Sequence, residues 1–207
     1  MARPRNADAE LTKQRILDAA IERFGRQGLK ETSLRAIAAD VGVTFATVHH
    51  YFGSKSTLYT RCLEAAYDDL AELRPALLET LMATGGGVED KVRAVAKRAF
   101  HYARQHAVTS RFLLRATLYE DAAGERMERS QRQYLDGTSE LLAPLLGRDA
   151  RALRVPLQGL MFLLTRMAVM SERELANIAG PSGTDATEAL ADYVARVAVS
   201  TLLETPT

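Results

Sequence analysis

The sequence predicts an all-α protein, and two observations support this fold class. Ala, Leu, Arg and Glu recur with helical spacing along almost the whole chain, and residues of this kind favour helix. Val, Ile and Thr do not alternate with polar residues over the length of a strand. At 207 residues, 47% of them hydrophobic, the chain is long enough for one or two domains with a real core.

Two short helices joined by a tight turn are predicted near the N-terminus, after a longer first helix. The first helix covers about residues 9–27 and the second about 33–41, and each is closed by a glycine. Either Thr32 or Ser33 caps the second helix, because a hydroxyl can accept a hydrogen bond from the first turn. Gly42 permits the sharp reversal that follows.

The third helix begins after Thr44 and covers the segment TFATVHHYF, and a long fourth helix begins after Ser54. The fourth helix continues, with a kink expected at Pro75, to the glycines at 85–87. The pattern that follows predicts five more helices, about nine in all, over 88–105, 107–119, 123–146, 150–178 and 185–204. We therefore expect two domains, a head (residues 1–55) and a body (residues 56–207).

Composition excludes several classes of protein. Cys62 is the single cysteine, so no internal disulfide can form and a reducing cytoplasm is the expected compartment. The N-terminal residues lack the apolar segment of a secretion signal. The longest apolar run, 159–170, is too short to cross a bilayer and contains Arg166. We expect a cytoplasmic protein that does not bind membranes.

The formal net charge is only +1, but the charges are unevenly distributed. Residues 1–61 contain ten Lys and Arg against six Asp and Glu, whereas residues 62–207 contain seventeen against twenty. A basic N-terminal domain on a slightly acidic body favours nucleic-acid binding. An excess of four charges is also common on ordinary solvated surfaces. Arg3 and Arg5 could form an arm in a minor groove or a disordered start of the chain.

The arrangement of the second and third helices is typical of a helix-turn-helix, in which the later helix enters the major groove of DNA. Val48 and Phe52 are four residues apart and are predicted to face the core. The opposite face carries the residues expected to contact base edges: Phe45, Ala46 and His49. The imidazole can form a hydrogen bond with a base, and Phe45 or Ala46 can contact a thymine methyl group.

Residues at the flanks of this helix and at neighbouring helix ends are expected to contact phosphates. Lys55 is the most informative, because a cation in the first turn of a helix opposes the helix dipole. A phosphate bound there would remove the conflict, although a single lysine is most often only solvated. The expected phosphate contacts are Thr32, Ser33, Thr47, His50, Tyr51 and Lys55.

The sequence does not predict an enzyme. It contains no G-x-S-x-G, Walker or H-E-x-x-H motif, and it has no paired cysteines. His49 and His50 cannot form a helical metal site, because adjacent side chains point about 100° apart whereas chelation requires i,i+4 spacing. We expect no catalytic residue, no metal and no resident cofactor.

Residues 15–59, RILDAAIERFGRQGLKETSLRAIAADVGVTFATVHHYFGSKSTLY, resemble the DNA-binding domain of the tetracycline-repressor (TetR) family of bacterial regulators. The resemblance rests on the AA…F…G of the first helix, the TSLRAIA of the second, the GV turn and the YF…SK…L junction. The chain has HHYF at 49–52 where the family more often has YYHF. Beyond about residue 62 the resemblance covers only the all-helical architecture.

The resemblance implies a body that binds an effector in a cavity among the middle helices. The apolar residues there indicate a lipophilic small molecule, although each residue could equally be ordinary core. Arg166 could pair with a carboxylate of another helix or with an acidic effector. The candidate cavity residues are Phe100, Tyr102, Phe112, Leu113, Tyr119, Met161, Phe162 and Arg166.

One recognition helix contacts too few base pairs for tight specificity, so a dimer on a pseudo-palindromic operator is expected. The helices at 150–178 and 185–204 are apolar on more than one side, and the resemblance implies that they form a four-helix bundle with a second copy. We expect a homodimeric repressor that an effector releases from double-stranded DNA through movement of the fourth helix. The alternative is an effector-independent scaffold on DNA that recruits a protein partner.

Overall fold

The computed structural model describes residues 5–119, 124–179 and 186–203, and within these ranges it contains ten helices and no strand. This confirms the predicted all-α fold. Arg3, one of the two residues of the possible minor-groove arm, lies outside the described residues, and only the backbone of Arg5 is described. Most of the predicted loop at 179–185 also lies outside them.

The head contains α1 (Arg5–Glu31), α2 (Leu34–Val41) and α3 (Phe45–Phe52). The first helix is longer than predicted, but its regular course is interrupted at Gly28, where φ is 84° and ψ is 173°. Gly42 has φ 74° and ψ 33°, the left-handed conformation that glycine adopts without steric cost. The turn between α2 and α3 therefore has the conformation that the sequence predicts.

Three hydroxyl side chains begin the short helices and α4 (Lys55–Ala83). Ser33 Oγ accepts from the amide of Ala36 at 3.1 Å, Thr44 Oγ1 from Thr47 at 3.1 Å, and Ser54 Oγ from Thr57 at 3.0 Å. Each bond satisfies an amide of the first turn that has no partner within the helix. The structure thus decides between the two candidate caps of α2 in favour of Ser33.

The inner face of α3 closes the core of the head. Val48 is fully buried and Phe52 is 9% exposed, and both belong to one apolar cluster that also contains Ile16, Ile37 and Leu58. Burial of side chains of this size contributes about 1.5–3 kcal/mol each. The same cluster includes residues of α1, α2, α3 and α4, so it fixes the outward face of α3 relative to the start of α4.

The body contains α5 (Val88–Gln105), α6 (Ala107–Tyr119), α7 (Gly124–Leu146), α8 (Ala150–Ala168), α9 (Glu172–Ala179) and α10 (Ala186–Leu203). It packs against α4, which runs without a break from the head into the body and contains Pro75. The helices α5 and α10 pack extensively along each other, as do α7 and α8.

The prediction of one helix over 150–178 is wrong, because the chain breaks after α8 and starts again as α9. Ser171 Oγ accepts from the amide of Glu174 at 3.2 Å, and Glu174 Oε2 accepts from the amide of Ser171 at 2.8 Å. This reciprocal pair is a capping box, which favours a new helix start over continuation. The S-x-x-E pattern was visible in the sequence and explains why ten helices form where about nine were predicted.

The head is joined to the body through α6 as well as through α4. The ring of Phe112 lies 5.3 Å from that of Tyr59 and 6.3 Å from that of Phe24, measured between centroids. A Cβ at Gly25 would lie 3.2 Å from the backbone nitrogen of Phe112, so α1 and α6 approach closely at a residue without a side chain. Arg115 Nη2 donates to the carbonyl of Gln27 at 3.1 Å.

In the part of the chain that the structure describes, no single helix has the length and apolar character needed to cross a membrane. The pair α8 and α9 meets the length and composition criteria together, with a bend of 105° between them.

The left-handed turn at Gly42 gives a first test of the head. We expect Gly42→Ala to lower the free energy of unfolding by about 1 kcal/mol, because a Cβ disfavours this conformation. Gly42→Asn should lower the free energy of unfolding by a smaller amount, since asparagine tolerates the left-handed region. Urea unfolding followed by circular dichroism measures the difference, and equal stability of all three proteins would contradict this account of the turn.

Candidate nucleic-acid interface and body cavity

The outward face of α3 is open to solvent. Phe45 is 44% exposed, Ala46 and His49 are also exposed, and the rings of Phe45 and His49 lie 5.8 Å apart. These are the three residues that the sequence assigned to base edges. Their position opposite Val48 agrees with that assignment, and the base contacts themselves remain predictions.

Arg35 of α2 is a candidate contact that sequence reasoning missed. Its guanidinium carbon lies 5.6 Å from the centroid of the Phe45 ring, and the residue is exposed. The arrangement places a permanent cation beside the outward face of α3. The exposure of Arg35 could have been predicted from helical spacing. It is the second residue of α2, and its side chain cannot point toward the side occupied by the buried Ile37 and Val41.

The predicted phosphate contacts differ in accessibility. Ser33 and His50 are exposed, whereas Thr47 and Tyr51 are half-buried. The Thr47 hydroxyl lies 2.9 Å from the Thr44 hydroxyl, and the ammonium of Lys13 lies 5.6 Å from the centroid of the Tyr51 ring. Thr47, His50 and Tyr51 lie on α3, and Ser33 lies at the N-terminal end of α2. The phosphate contacts of all four residues remain predictions.

Thr32 does not offer its hydroxyl to solvent, which corrects its assignment to a phosphate contact. The residue is 2% exposed, and its Oγ1 donates to the carbonyl of Gly28 at 2.8 Å. The bond satisfies a carbonyl at the interruption of α1, where the regular helical ladder ends. The hydroxyl therefore stabilises the turn before α2.

Lys55 has a different partner from the one expected. Its Nζ donates to the carbonyls of Lys30 at 3.1 Å and Thr32 at 2.9 Å. These carbonyls carry partial negative charge at the end of α1, so they offset the unfavourable placement of a cation at the start of α4. The argument that required a phosphate at Lys55 is thereby removed, and a phosphate contact would have to use the remaining N–H of the ammonium.

The end of α2 is held against α1 by polar contacts. Arg23 donates to the Asp40 carboxylate, and Arg15 Nη2 donates to the carbonyl of Val41 at 2.7 Å. The guanidinium of Arg23 lowers the pKa of Asp40 below its usual value, chiefly through the hydrogen bond. These bonds fix α2, and through the turn they fix the direction of α3.

The body contains a partly open apolar cavity of about 160 Å³ between α4, α5, α6, α7, α8 and α10. Most of its wall consists of aliphatic side chains: Leu70, Leu73, Leu77, Leu78 and Leu81 of α4; Val92, Val95 and Ala96 of α5; Leu141, Leu142 and Leu145 of α7; Leu157, Leu160 and Leu164 of α8; and Val194, Ala198 and Leu202 of α10. Among the described residues that line it there is no Asp, Glu, Lys, Arg or His.

The few hydroxyls around the cavity are mostly engaged with backbone carbonyls. Tyr102 donates to Asp69 at 2.7 Å, and Ser110 donates to Ala103 at 3.0 Å. The same holds for two threonines, Thr138 to the carbonyl of Tyr134 at 2.8 Å and Thr165 to that of Met161 at 2.7 Å. The interior therefore suits a hydrocarbon group and offers little to a charged one.

Three of the eight predicted cavity residues line this space, namely Tyr102, Leu113 and Met161. Phe100 and Phe112 do not, which corrects their assignment. Both are fully buried in neighbouring clusters, Phe100 between α5 and the C-terminal helices and Phe112 in the core of the head. Their positions on α5 and α6 turn them away from the cavity, and sequence alone does not fix that helical phase.

The other three predicted cavity residues lie on the surface, so their assignment to the cavity is also wrong. Tyr119 is 71% exposed, and Phe162 is 41% exposed on the outer side of α8. Arg166 donates to Glu174 at 2.9 Å, which is the first of the two alternatives considered for this residue. Sequence reasoning favoured aromatic residues and missed the regularly spaced leucines of α4 and α7.

The cavity and the head meet at α6. Ser110 and Leu113 line the cavity, while Phe112 and Arg115 of the same helix contact the head. A ligand that displaces α6 would therefore act directly on α1. This path adds to the one predicted through α4, which also lines the cavity.

The model of the family described as "Bacterial regulatory proteins, tetR family" matches residues 16–62. Residues 16–62 therefore form a DNA-binding domain of the TetR family. The match covers α2, α3, the start of α4 and most of α1, so the TetR assignment rests on the head.

Two named TetR relatives resemble the head in sequence. The chain is 38% identical over 73 residues to the HTH-type transcriptional regulator AcrR of Shigella flexneri, covering 35% of this chain and 34% of the relative. It is 47% identical over 55 residues to the regulator SrpR of Pseudomonas putida, covering 27% of this chain and 26% of the relative. The chain thus matches about a third or less of the length of these relatives.

Solved TetR-type structures resemble the whole fold at low sequence identity. A TetR-like transcriptional regulator from Rhodococcus sp. RHA1 has a TM-score of 0.65 at 23% identity, with 99% of this chain and 100% of that chain covered. The structure of AibR in complex with isovaleryl coenzyme A and operator DNA has a TM-score of 0.62 at 18% identity, with 93% and 98% covered. These likenesses show that the body has the TetR fold.

The bonds of Lys55 predict a role in stability. We expect Lys55→Ala to lower the free energy of unfolding by about 1 kcal/mol, because two carbonyls lose a charged donor. Thermal unfolding followed by circular dichroism measures the effect. Arg35→Ala is the matched control, since Arg35 is exposed and donates no hydrogen bond to the described residues. Equal losses in the two variants would contradict the structural role of Lys55.

Proposed function

We propose that this TetR-family protein is a sequence-specific DNA-binding regulator of transcription that acts as a repressor. The observation that carries the proposal is the outward face of α3, where Phe45, Ala46 and His49 are exposed opposite a buried inner face. A helix held in this way can enter a major groove as a rigid body. Arg35, Ser33 and His50 then lie where phosphate contacts are needed.

We further propose that the head comprises residues 1–55 and the body residues 56–207, with α4 continuous across the boundary. The head supplies the DNA contacts and the body supplies the effector site and the dimer interface. Double-stranded DNA with a pseudo-palindromic site is the proposed partner, because two heads related by a two-fold axis would contact two half-sites. We propose no catalytic function for either domain.

The proposed dimer uses α8 and α10. Exposed residues recur on α8 at alternating steps of three and four, which is the spacing of a helix–helix contact: Ala152, Val155, Gly159, Phe162 and Arg166. Exposed residues of α10 recur with the same alternating spacing of three and four: Ala189, Tyr193, Arg196 and Ser200. Apolar and small residues dominate the α8 stripe, which supports a four-helix bundle with a second copy.

The proposed effector is a small lipophilic molecule that occupies the body cavity. The aliphatic walls support this, and so does AibR, a protein of the same fold whose structure is a complex with isovaleryl coenzyme A and operator DNA. Release from DNA requires that the ligand bind one arrangement of the heads more tightly than the other. A solid, fully packed body would instead have favoured the effector-independent scaffold.

The division between base and phosphate contacts can be tested on the operator that the purified protein selects from a DNA library. We expect Arg35→Ala to weaken binding to operator and random DNA alike and to reduce the salt slope by about 1. His49→Ala should instead lower operator affinity by about 1–3 kcal/mol while leaving random-DNA affinity unchanged. Fluorescence anisotropy at several salt concentrations measures both. If the two variants behaved alike, the assignment of the outward face of α3 would be wrong.

The proposed dimer predicts the effect of a charge on the α8 stripe. Phe162→Glu should raise the dimer dissociation constant by about tenfold or more, because it places a carboxylate in an apolar contact. Val88→Glu is the matched control, since Val88 is 38% exposed at the start of α5, outside the two stripes. Sedimentation velocity across a dilution series gives the dissociation constants. An unchanged value for Phe162→Glu would argue against this interface.

A further inference from the structure

A cleft between α4 and α7 adjoins the body cavity and contains a cation, Arg74, that has no anionic partner among the described residues. Arg74 of α4 is half-buried in this cleft. Among the residues that the structure describes, no carboxylate forms an ion pair with its guanidinium and no carbonyl accepts a hydrogen bond from it. Most half-buried guanidinium groups find such a partner, since removing them from water is costly.

Gly137 of α7 allows the guanidinium to lie against the helix. A Cβ at this position would lie 2.8 Å from Nη2 and 3.3 Å from Cζ of Arg74, closer than normal contact. Glycine within a helix costs about 1 kcal/mol relative to alanine. Gly137 therefore destabilises α7 as a helix, but it allows the Arg74 guanidinium to approach the helix closely.

Tyr134 of α7 separates the cleft from the cavity. Of the residues that the structure describes, Tyr134 alone lines both spaces, and Thr138, one turn later, lines the cavity. Burial raises the pKa of the Tyr134 phenol, and the nearby charge of Arg74 opposes that increase. The phenol therefore lies within the field of the guanidinium and at the boundary between apolar and polar surroundings.

The other charges of the cleft do not neutralise Arg74. Arg61 and Glu64 pair with each other at 2.9 Å. Asp68 is exposed, so solvent and salt screen its effect on a group bound near Arg74. A ligand reaching past Tyr134 would thus meet aliphatic walls on one side and one uncompensated guanidinium on the other.

We propose that the effector is an amphiphile, with an aliphatic chain in the body cavity and a carboxylate bound by Arg74, and with Tyr134 at the junction. A guanidinium presents two parallel N–H groups that match the two oxygens of a carboxylate. None of the described residues that line the cavity carries a charge to bind the carboxylate. The ligand therefore binds in one orientation, with its aliphatic chain in the cavity and its carboxylate at Arg74. This inference rests on the proposed function of the cavity as an effector site.

The test compares saturated eight- to twelve-carbon carboxylates with the primary alcohols of the same length, each below its micellar concentration. Isothermal titration of the full chain should give a carboxylate affinity about tenfold or more above that of the alcohol. Arg74→Gln should abolish this preference while leaving alcohol binding unchanged. Arg61→Gln is the matched control, since it removes a cation of the same cleft that already has a partner, and it should retain the preference.

Gly137→Ala provides a second variant that keeps the charge of Arg74 but displaces the guanidinium from α7. We expect it to reduce the preference for the carboxylate without affecting the alcohol. Equal affinity for both ligands, or a preference that survives Arg74→Gln, would overturn the amphiphile proposal and leave a neutral effector in the cavity. If neither ligand bound, and neither changed the affinity for the selected operator, the proposed effector function of the cavity would fail as well.

Discussion

The contact between α6 and the core of the head is the constraint on which the rest of the molecule depends. Phe112 packs between Phe24 of α1 and Tyr59 of α4, and the neighbouring Leu113 lines the body cavity. Both residues pack in the core of the head, and the second also forms part of the cavity wall. Because packed interiors transmit displacement, filling the cavity cannot leave the core of the head unaffected if α6 moves.

Several cations in the described part of the chain donate hydrogen bonds to carbonyls at the ends of helices. Lys55 donates to carbonyls at the end of α1, Arg104 to the carbonyls of Ala168 and Met170 after α8, and Arg148 to the carbonyl of Leu202 in α10. Such carbonyls lack partners within the helix and attract positive charge. Arg35 beside α3 and Arg74 beside the cavity donate no such bond to the described residues, and their positions beside the two proposed sites are what make them candidates for ligand contacts.

The same principle explains the mistakes in the site predictions. A lysine in the first turn of α4 is unexpected in an isolated helix, and a bound phosphate was one way to account for it. The end of α1, twenty-five residues earlier, supplies the negative partner in the folded chain. Thr32 is a similar case, because its hydroxyl serves the interruption at Gly28 and is buried there.

The sequence by itself determined the elements of the head. Thr44 and Ser54 act locally on amides three residues ahead, and Gly42 acts on its own backbone, so no tertiary contact was needed to predict them. The cap of α2 was narrowed to Thr32 or Ser33, and the structure selected Ser33. The inward face of α3 followed from the spacing of Val48 and Phe52. The break before α9 was also local, although the Ser171–Glu174 pair was not recognised.

Only the tertiary structure decided the site in the body. Aromatic side chains such as Phe112 and Phe162 suit a cavity, a core or an interface equally well, and the rotation of each helix against its neighbours selects among these. That rotation depends on packing between residues far apart in the chain, as between α5 and α10, and no local pattern encodes it. Arg74 became informative for the same reason, since its place beside Gly137 and Tyr134 follows from the packing of α4 on α7.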